Sequence, residues 1–261
     1  MSVAFVVILL LLGGAGAFVA GLLGVGGAIV MIPLLLYVPP LLDVGSLDVK
    51  SVTGVTMVQV FVAALSGVLA HRRARALHSE LAVVGGVAMA LGSLTGALVS
   101  KHVPAALILV VFALMATTAA GLVVVRMEAL EKPVFAAEVR FSRWRAALVC
   151  LIVGIGAGLV GAGGAFLLVP LLVTAVGIPL RVTIGSSLGI TALAATAGLV
   201  GKLATAQVPW LPAIAVAAGA LPGAQLGAYV SRRLPARTLK TALFVVVVAT
   251  AIGVWWDVLF R

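Results

Sequence analysis

The stretch GLLGVGGAIVMIPLLL, Gly21 to Leu36, is almost wholly apolar, yet it carries four glycines and a proline, the residues least suited to a helix interior. A second copy, GLVGAGGAFLLVPLLV, runs from Gly158 to Val173 and matches it at 9 of 16 positions, every glycine and the proline included. The first copy sits in an apolar run of 36 residues, 3–38. As one helix that run would reach about 54 Å, against a bilayer hydrocarbon core of about 30 Å. A break and a turn at the glycines are therefore expected, giving a helical hairpin.

The whole chain reads the same way. Of its 261 residues 64% are hydrophobic and 9% charged, where a soluble domain carries about 25% charged residues. Apolar runs long enough to span a bilayer cover 50–70, 81–100, 104–125, 183–203, 210–231 and 238–258. No ten-residue alternation suggests a barrel, so the fold expected is an all-α integral membrane protein. The first 20 residues look like a signal peptide's apolar region but lack its positive start; they are kept as part of the mature chain.

The repeat extends beyond the glycines. GSLTGALVSKHVP (92–104) resembles GAQLGAYVSRRLP (223–235) at an offset of 131, which also pairs Gly54 with Gly185, Thr56 with Ser187 and Gly67 with Gly198. The chain divides into a first membrane repeat, 1–125, a charged linker, 126–145, and a second repeat, 146–261. If each glycine-rich run is a hairpin, each repeat has the hairpin plus three transmembrane helices. Five segments are an odd number, so the second repeat is inverted. Charge agrees: the inverted arrangement puts 13 Lys and Arg on one side and 4 on the other, whereas parallel repeats give 10 and 7. The positive-inside rule selects inversion, with the linker cytoplasmic and both termini outside. Trp144, Trp210, Trp255 and Trp256 at span ends fit an interfacial belt.

Net charge is +10, but the basic residues form short clusters between spans. That pattern sets topology and argues against nucleic acid as a partner. A lone cysteine, Cys150, forms no intramolecular disulfide and is read as packing. GAGLVG (156–161) matches a dinucleotide fingerprint but lies in a membrane span, with Arg181 where an acid is needed. GSSLG (185–189) matches a hydrolase nucleophile elbow centred on Ser187. All three histidines lie at the membrane edge of the first repeat, so an intramembrane serine hydrolase is the lesser alternative, and the chain is not expected to be an enzyme. No cofactor or metal is expected, and a homo-oligomer is compatible with the sequence.

Inverted repeats with broken helices are the architecture of secondary transporters, whose sites lie near the midplane. The returning half-helices start at Gly26–Gly27 and Gly163–Gly164. Each offers free N–H groups and a partial positive charge, so two tips meeting near the midplane make an anion site. Thr53, Thr56 and Gln59 share a face of the next span; Ser186, Ser187 and Thr191 occupy the matching region of the second repeat, with Gln225 in the span after. These are the candidate substrate-binding side chains. Gly24, Pro33, Gly161 and Pro170 complete the motif, the prolines kinking or ending the return helices. Lys50, Lys101 and Lys202 are expected to attract anions at the outer mouth, and Arg72, Arg73 and Arg181 at the inner one. The seven acids all fall in loops or at span ends, so no buried carboxylate relay is visible; facilitated movement, or a proton moving with the anion, is the natural coupling.

The duplicated Gly-Gly-to-Pro motif, Gly24, Gly26, Gly27 and Pro33 with Gly161, Gly163, Gly164 and Pro170, resembles the sulfite exporter TauE/SafE family over nearly the whole chain. The resemblance implies a bacterial inner-membrane carrier, generally an exporter, for sulfite, sulfoacetate and related sulfonates, or thiosulfate. The small anion and the lipid bilayer are then its partners. A passive anion channel is the alternative transport reading.

Overall fold

A computed structural model describes residues 2–23, 27–71, 78–126, 141–231 and 233–260. Their regular structure is helical: α1 (Val3–Leu23), α2 (Ala28–Leu41), α3 (Val49–His71), α4 (Ser79–Val99), α5 (Ala105–Arg126), α6 (Arg143–Val160), α7 (Ala165–Leu171), α8 (Leu180–Ala204), α9 (Trp210–Ser231) and α10 (Ala236–Phe260). α7 continues as a π-helical turn over Leu172–Val176. Seven of these helices are long and apolar enough by themselves to cross a membrane. Ile152, Ile214 and Ile252 are 60%, 61% and 64% exposed, a surface that hydrocarbon accepts and water does not.

The expected spans agree with α3, α4, α5, α8, α9 and α10 to within three residues at either end. Both glycine-rich runs are broken where the sequence predicts. Beyond α2 the chain returns to the start of α1, so that Gly45 packs on the Phe5 ring. The π turn after α7 likewise lies back against α6. Each half thus supplies a hairpin followed by three helices.

The halves exchange partners. α1 packs along α9, and α4 along α6. Along the first seam Gly219, Gly223 and Gly227 abut the backbone of Leu10, Gly14 and Phe18 in turn, so the two helices run parallel. Along the second, Gly154 meets Met89 and Gly158 meets Ser93, again in parallel. α3 and α8 cross the middle in opposite directions: Thr53 is bonded to Lys202, and Met57 touches Gly198. Between helices in lipid, close approach of small residues replaces the hydrophobic drive available in water. Any side chain at these glycines would strike backbone. Where bulk is available the core is apolar, as where Phe112 of α5 meets Phe166 of α7 edge-on, 6.2 Å between ring centres.

Of the two roles expected for the prolines, kinking or ending the return helix, ending does not apply to Pro33: α2 continues eight residues to Leu41. Pro33 has no N–H to bond the carbonyl four residues back. That carbonyl, on Ile29, instead accepts the hydroxyl of Thr250 from α10 at 3.1 Å. Pro170 stands two residues before the π turn, and its carbonyl accepts from Thr174 Oγ1 at 2.8 Å.

Candidate functional site

Gly27 caps α2 and Gly164 caps α7, both at φ 68°, and neither cap has a side-chain acceptor for the first N–H groups. Gly163 (φ 62°) and Gly161 (φ 77°) also take the left-handed conformation, which glycine adopts without the cost other residues incur. Three left-handed glycines, Gly161, Gly163 and Gly164, break the chain between α6 and α7 within four residues. Gly24 and Gly26 lie outside the described residues; so do Arg72 and Arg73.

Both tips converge on the centre of α3. The face of Gly27 looks onto the amide nitrogen of Gln59, 3.2 Å from where a Cβ would stand. Gly163 looks onto Val60, the next residue, and onto Thr191 of α8. Gln59 is wholly buried, and neither its oxygen nor its nitrogen has a hydrogen-bond partner among the described residues. The hydroxyl of Thr191, 2% exposed, also has none. Buried polar groups are nearly always paired; here unpaired donors stand beside two helix starts.

The remaining candidates are spread along the same two helices. Thr53 donates to the Lys50 carbonyl at 2.8 Å and accepts from Lys202 at 2.9 Å. Thr56 donates back to its own helix, to Val52 O at 2.9 Å. Ser186 accepts the backbone N–H of His78 at 3.1 Å, toward the linker end of the molecule. Ser187 is buried next to it. Gln225 is exposed on α9 and is not brought to the tips. Eight of the twelve buried polar side chains among the described residues belong to α3 and α8: Thr53, Thr56, Gln59, Thr183, Ser186, Ser187, Thr191 and Lys202. They form a polar file between the halves.

Comparison with known proteins gives the family. The sequence profile described as Sulfite exporter TauE/SafE matches residues 9–254. The chain belongs to the sulfite exporter TauE/SafE family. Its relatives include a "Probable membrane transporter protein" of Xylella fastidiosa (strain Temecula1), 31% identical over 94% of this chain and 92% of the relative. The "Probable membrane transporter protein YunE" of Bacillus subtilis is 25% identical over 93% and 94% of the two chains. A "Probable membrane transporter protein" of Haemophilus influenzae is 25% identical over 94% and 97%. No solved structure matches the chain. This TauE/SafE chain is a multi-pass membrane protein of a transporter family.

One sequence expectation is corrected. Lys202 does not stand at a mouth: it is fully buried, with its ammonium among side chains of α3, of Ser100 just past α4 and of the α8–α9 loop. Lys50 and Lys101 do lie outside the core, joined by a bond from Lys50 Nζ to the Lys101 carbonyl at 2.7 Å. Ser100 and Gln207, which hold Lys202, carry no sequence signal of their own. Lys202 did carry one, as a lone charge inside the apolar run 183–203.

The hydrolase alternative needs an imidazole on Ser187. The ring Nδ1 of His78 instead accepts the Leu81 N–H at 3.2 Å, capping α4, and the ring packs on Phe141.

Proposed function

We propose that this chain is a secondary transporter, not an enzyme, that exports small sulfur oxyanions such as sulfite, sulfoacetate or other sulfonates from bacterial cells by alternating access. The anion binds near the midplane between the hairpin tips, on the backbone N–H groups of Gly26, Gly27, Gly163 and Gly164, with Gln59 as the amide donor and Thr191 as a hydroxyl donor. One observation carries this reading. The two tips meet neighbouring residues at the centre of α3, and the buried amide beside the first of them is unpaired among the described residues. Helix starts bring partial positive charge and oriented N–H donors, which match an oxyanion's several acceptors without a full charge. Thr53, Thr56, Ser186 and Ser187 continue the polar file along α3 and α8, on either side of the site.

The repeats 1–125 and 146–261 are inverted in this proposal, the linker 126–145 is cytoplasmic and both termini are outside. The opposed course of α3 and α8, which are equivalent segments at the 131-residue offset, supports inversion. Inverted halves allow one half to adopt the other's conformation in turn, which is how such folds open alternately to either side.

Counterflow in proteoliposomes tests it. Vesicles are loaded with unlabelled sulfite, sulfoacetate, thiosulfate, sulfate or chloride, and the labelled partner is added outside. Overshoot with a sulfur oxyanion is expected, and is lost in Gly27→Val and Gly164→Val. Flux without overshoot is the behaviour of a channel. Folded variants that bind normally would remove the tips from the site.

A further inference from the structure

Among the described residues Lys202 is the one charged side chain that is fully buried. It stands two residues before the end of α8, and helical side chains lean toward the N-terminus, so its ammonium is carried into the protein. Four oxygens surround Nζ: Ser100 Oγ at 2.8 Å, Thr53 Oγ1 at 2.9 Å, Gln207 Oε1 at 3.0 Å and the Leu159 carbonyl at 3.2 Å. The hydroxyl protons are engaged elsewhere. Thr53 donates to Lys50 O, and Ser100 donates to Ala97 O at 2.6 Å. The nitrogen of Gln207 donates to Ser100 and to Thr205. The shell therefore presents acceptors only, and it fits an ammonium. No carboxylate is among its partners.

A cation in the interior of a membrane protein is costly unless paired, and such residues mark ion pathways. The shell supplies dipoles but no counter-charge. Unpartnered polar groups lie on the helices between this cluster and the tips. Gly198, one turn before Lys202 on α8, leaves room where Ser93 Oγ and the Met57 thioether approach. Ser93 is wholly buried and its hydroxyl has no partner. Beyond it lie Thr191 and Gln59, likewise unpartnered. From Thr53 to Gln59 is six residues of α3, about 9 Å along the helix.

We infer that Lys202, with Thr53, Ser100 and Gln207, forms a second anion station in the half of the pathway away from the linker, where an oxyanion takes the place of the Thr53 and Ser100 oxygens on the ammonium and those two hydroxyls turn from Lys50 O and Ala97 O to donate to it. Until the anion arrives, the same bonds hold α3, α4, α6 and α8 together and close that end. The inference rests on the anion-carrier reading above. It adds the positive charge that the neutral donors at the tips lack.

The test uses Lys202→Cys in a Cys150→Ala chain, reconstituted in proteoliposomes, with sulfoacetate as the probe. Counterflow is expected to fall about tenfold or more relative to the Cys150→Ala parent, as for loss of one charge-assisted contact. Treatment with 2-aminoethyl methanethiosulfonate restores an ammonium at nearly the length of lysine, and should bring flux back to within about threefold. The uncharged methyl reagent should not, and sulfoacetate should slow labelling by either. Equal rescue by both reagents, undiminished flux before treatment, or labelling indifferent to sulfoacetate would overturn the station. If the cysteine variant does not fold, Lys202→Arg and Lys202→Met replace it: the arginine chain should carry sulfoacetate at least about tenfold faster than the methionine chain, and equal rates would refute the charge. A parent with no counterflow for any sulfur oxyanion would overturn the carrier reading itself, and the station with it.

Discussion

The amide nitrogen of Gln59 stands 3.2 Å from the place a Cβ on Gly27 would occupy, and none of the described residues bonds either end of that amide. An unpaired buried amide lowers stability by about 1–3 kcal/mol. Gln59→Leu removes that penalty at similar volume, so the variant should melt at the same temperature as the native protein or higher. If the amide serves an anion, sulfoacetate counterflow should nonetheless fall about tenfold, the kinetic equivalent of about 1.4 kcal/mol. Gln59→Glu should lose flux entirely, since it sets a negative charge against the anion. A packing role would give the opposite result, lower stability with flux intact.

Thr250 offers a purely structural control. Its hydroxyl bonds the Ile29 carbonyl that Pro33 leaves free. Thr250→Val keeps the shape and strands that carbonyl in a dry core, which should cost about 1 kcal/mol or somewhat more. Thermal unfolding in nanodiscs should show the loss, while the affinity for sulfoacetate stays within about twofold. Thr250→Ser retains the donor and should recover most of the stability.

How far the sequence reached follows from what each signal measures. The broken hairpins were legible because 36 apolar residues cannot cross a bilayer once, and because glycine adopts at little cost the positive φ found at Gly27, Gly161, Gly163 and Gly164. Gln59 was legible as a polar residue in an apolar span. Spacing could not show that Thr56 would bond its own helix, that Ser186 would receive His78, or that Gln225 would face outward. Those outcomes depend on which face meets which neighbour. Lys202 was misplaced because a lysine near a span end usually reaches the interface; here the elements packed around it supply oxygens on the inner side instead. Ser100 and Gln207 lie at the ends of spans, where polar residues are ordinary, and only folding brings them 107 residues of sequence together.

Two glycines separate conformational need from helix propensity. Gly161 ends α6 at φ 77°, and a Cβ there would strike the Thr53 backbone, the residue that also holds Lys202. Gly161→Ala meets strain and collision together, and should destabilise by about 2 kcal/mol or more. Because Thr53 must shift to admit the methyl group, counterflow should fall with it. Gly121 of α5 has nothing within 4 Å of where a Cβ would stand. Gly121→Ala adds a better helix former in open space, and should stabilise by up to about 1 kcal/mol with flux unchanged. Melting temperatures of the two variants, measured with counterflow on the same preparations, should therefore move in opposite directions. A Gly161→Ala chain as stable and as active as the native protein would show that the second tip and the Lys202 cluster are not mechanically joined through Thr53.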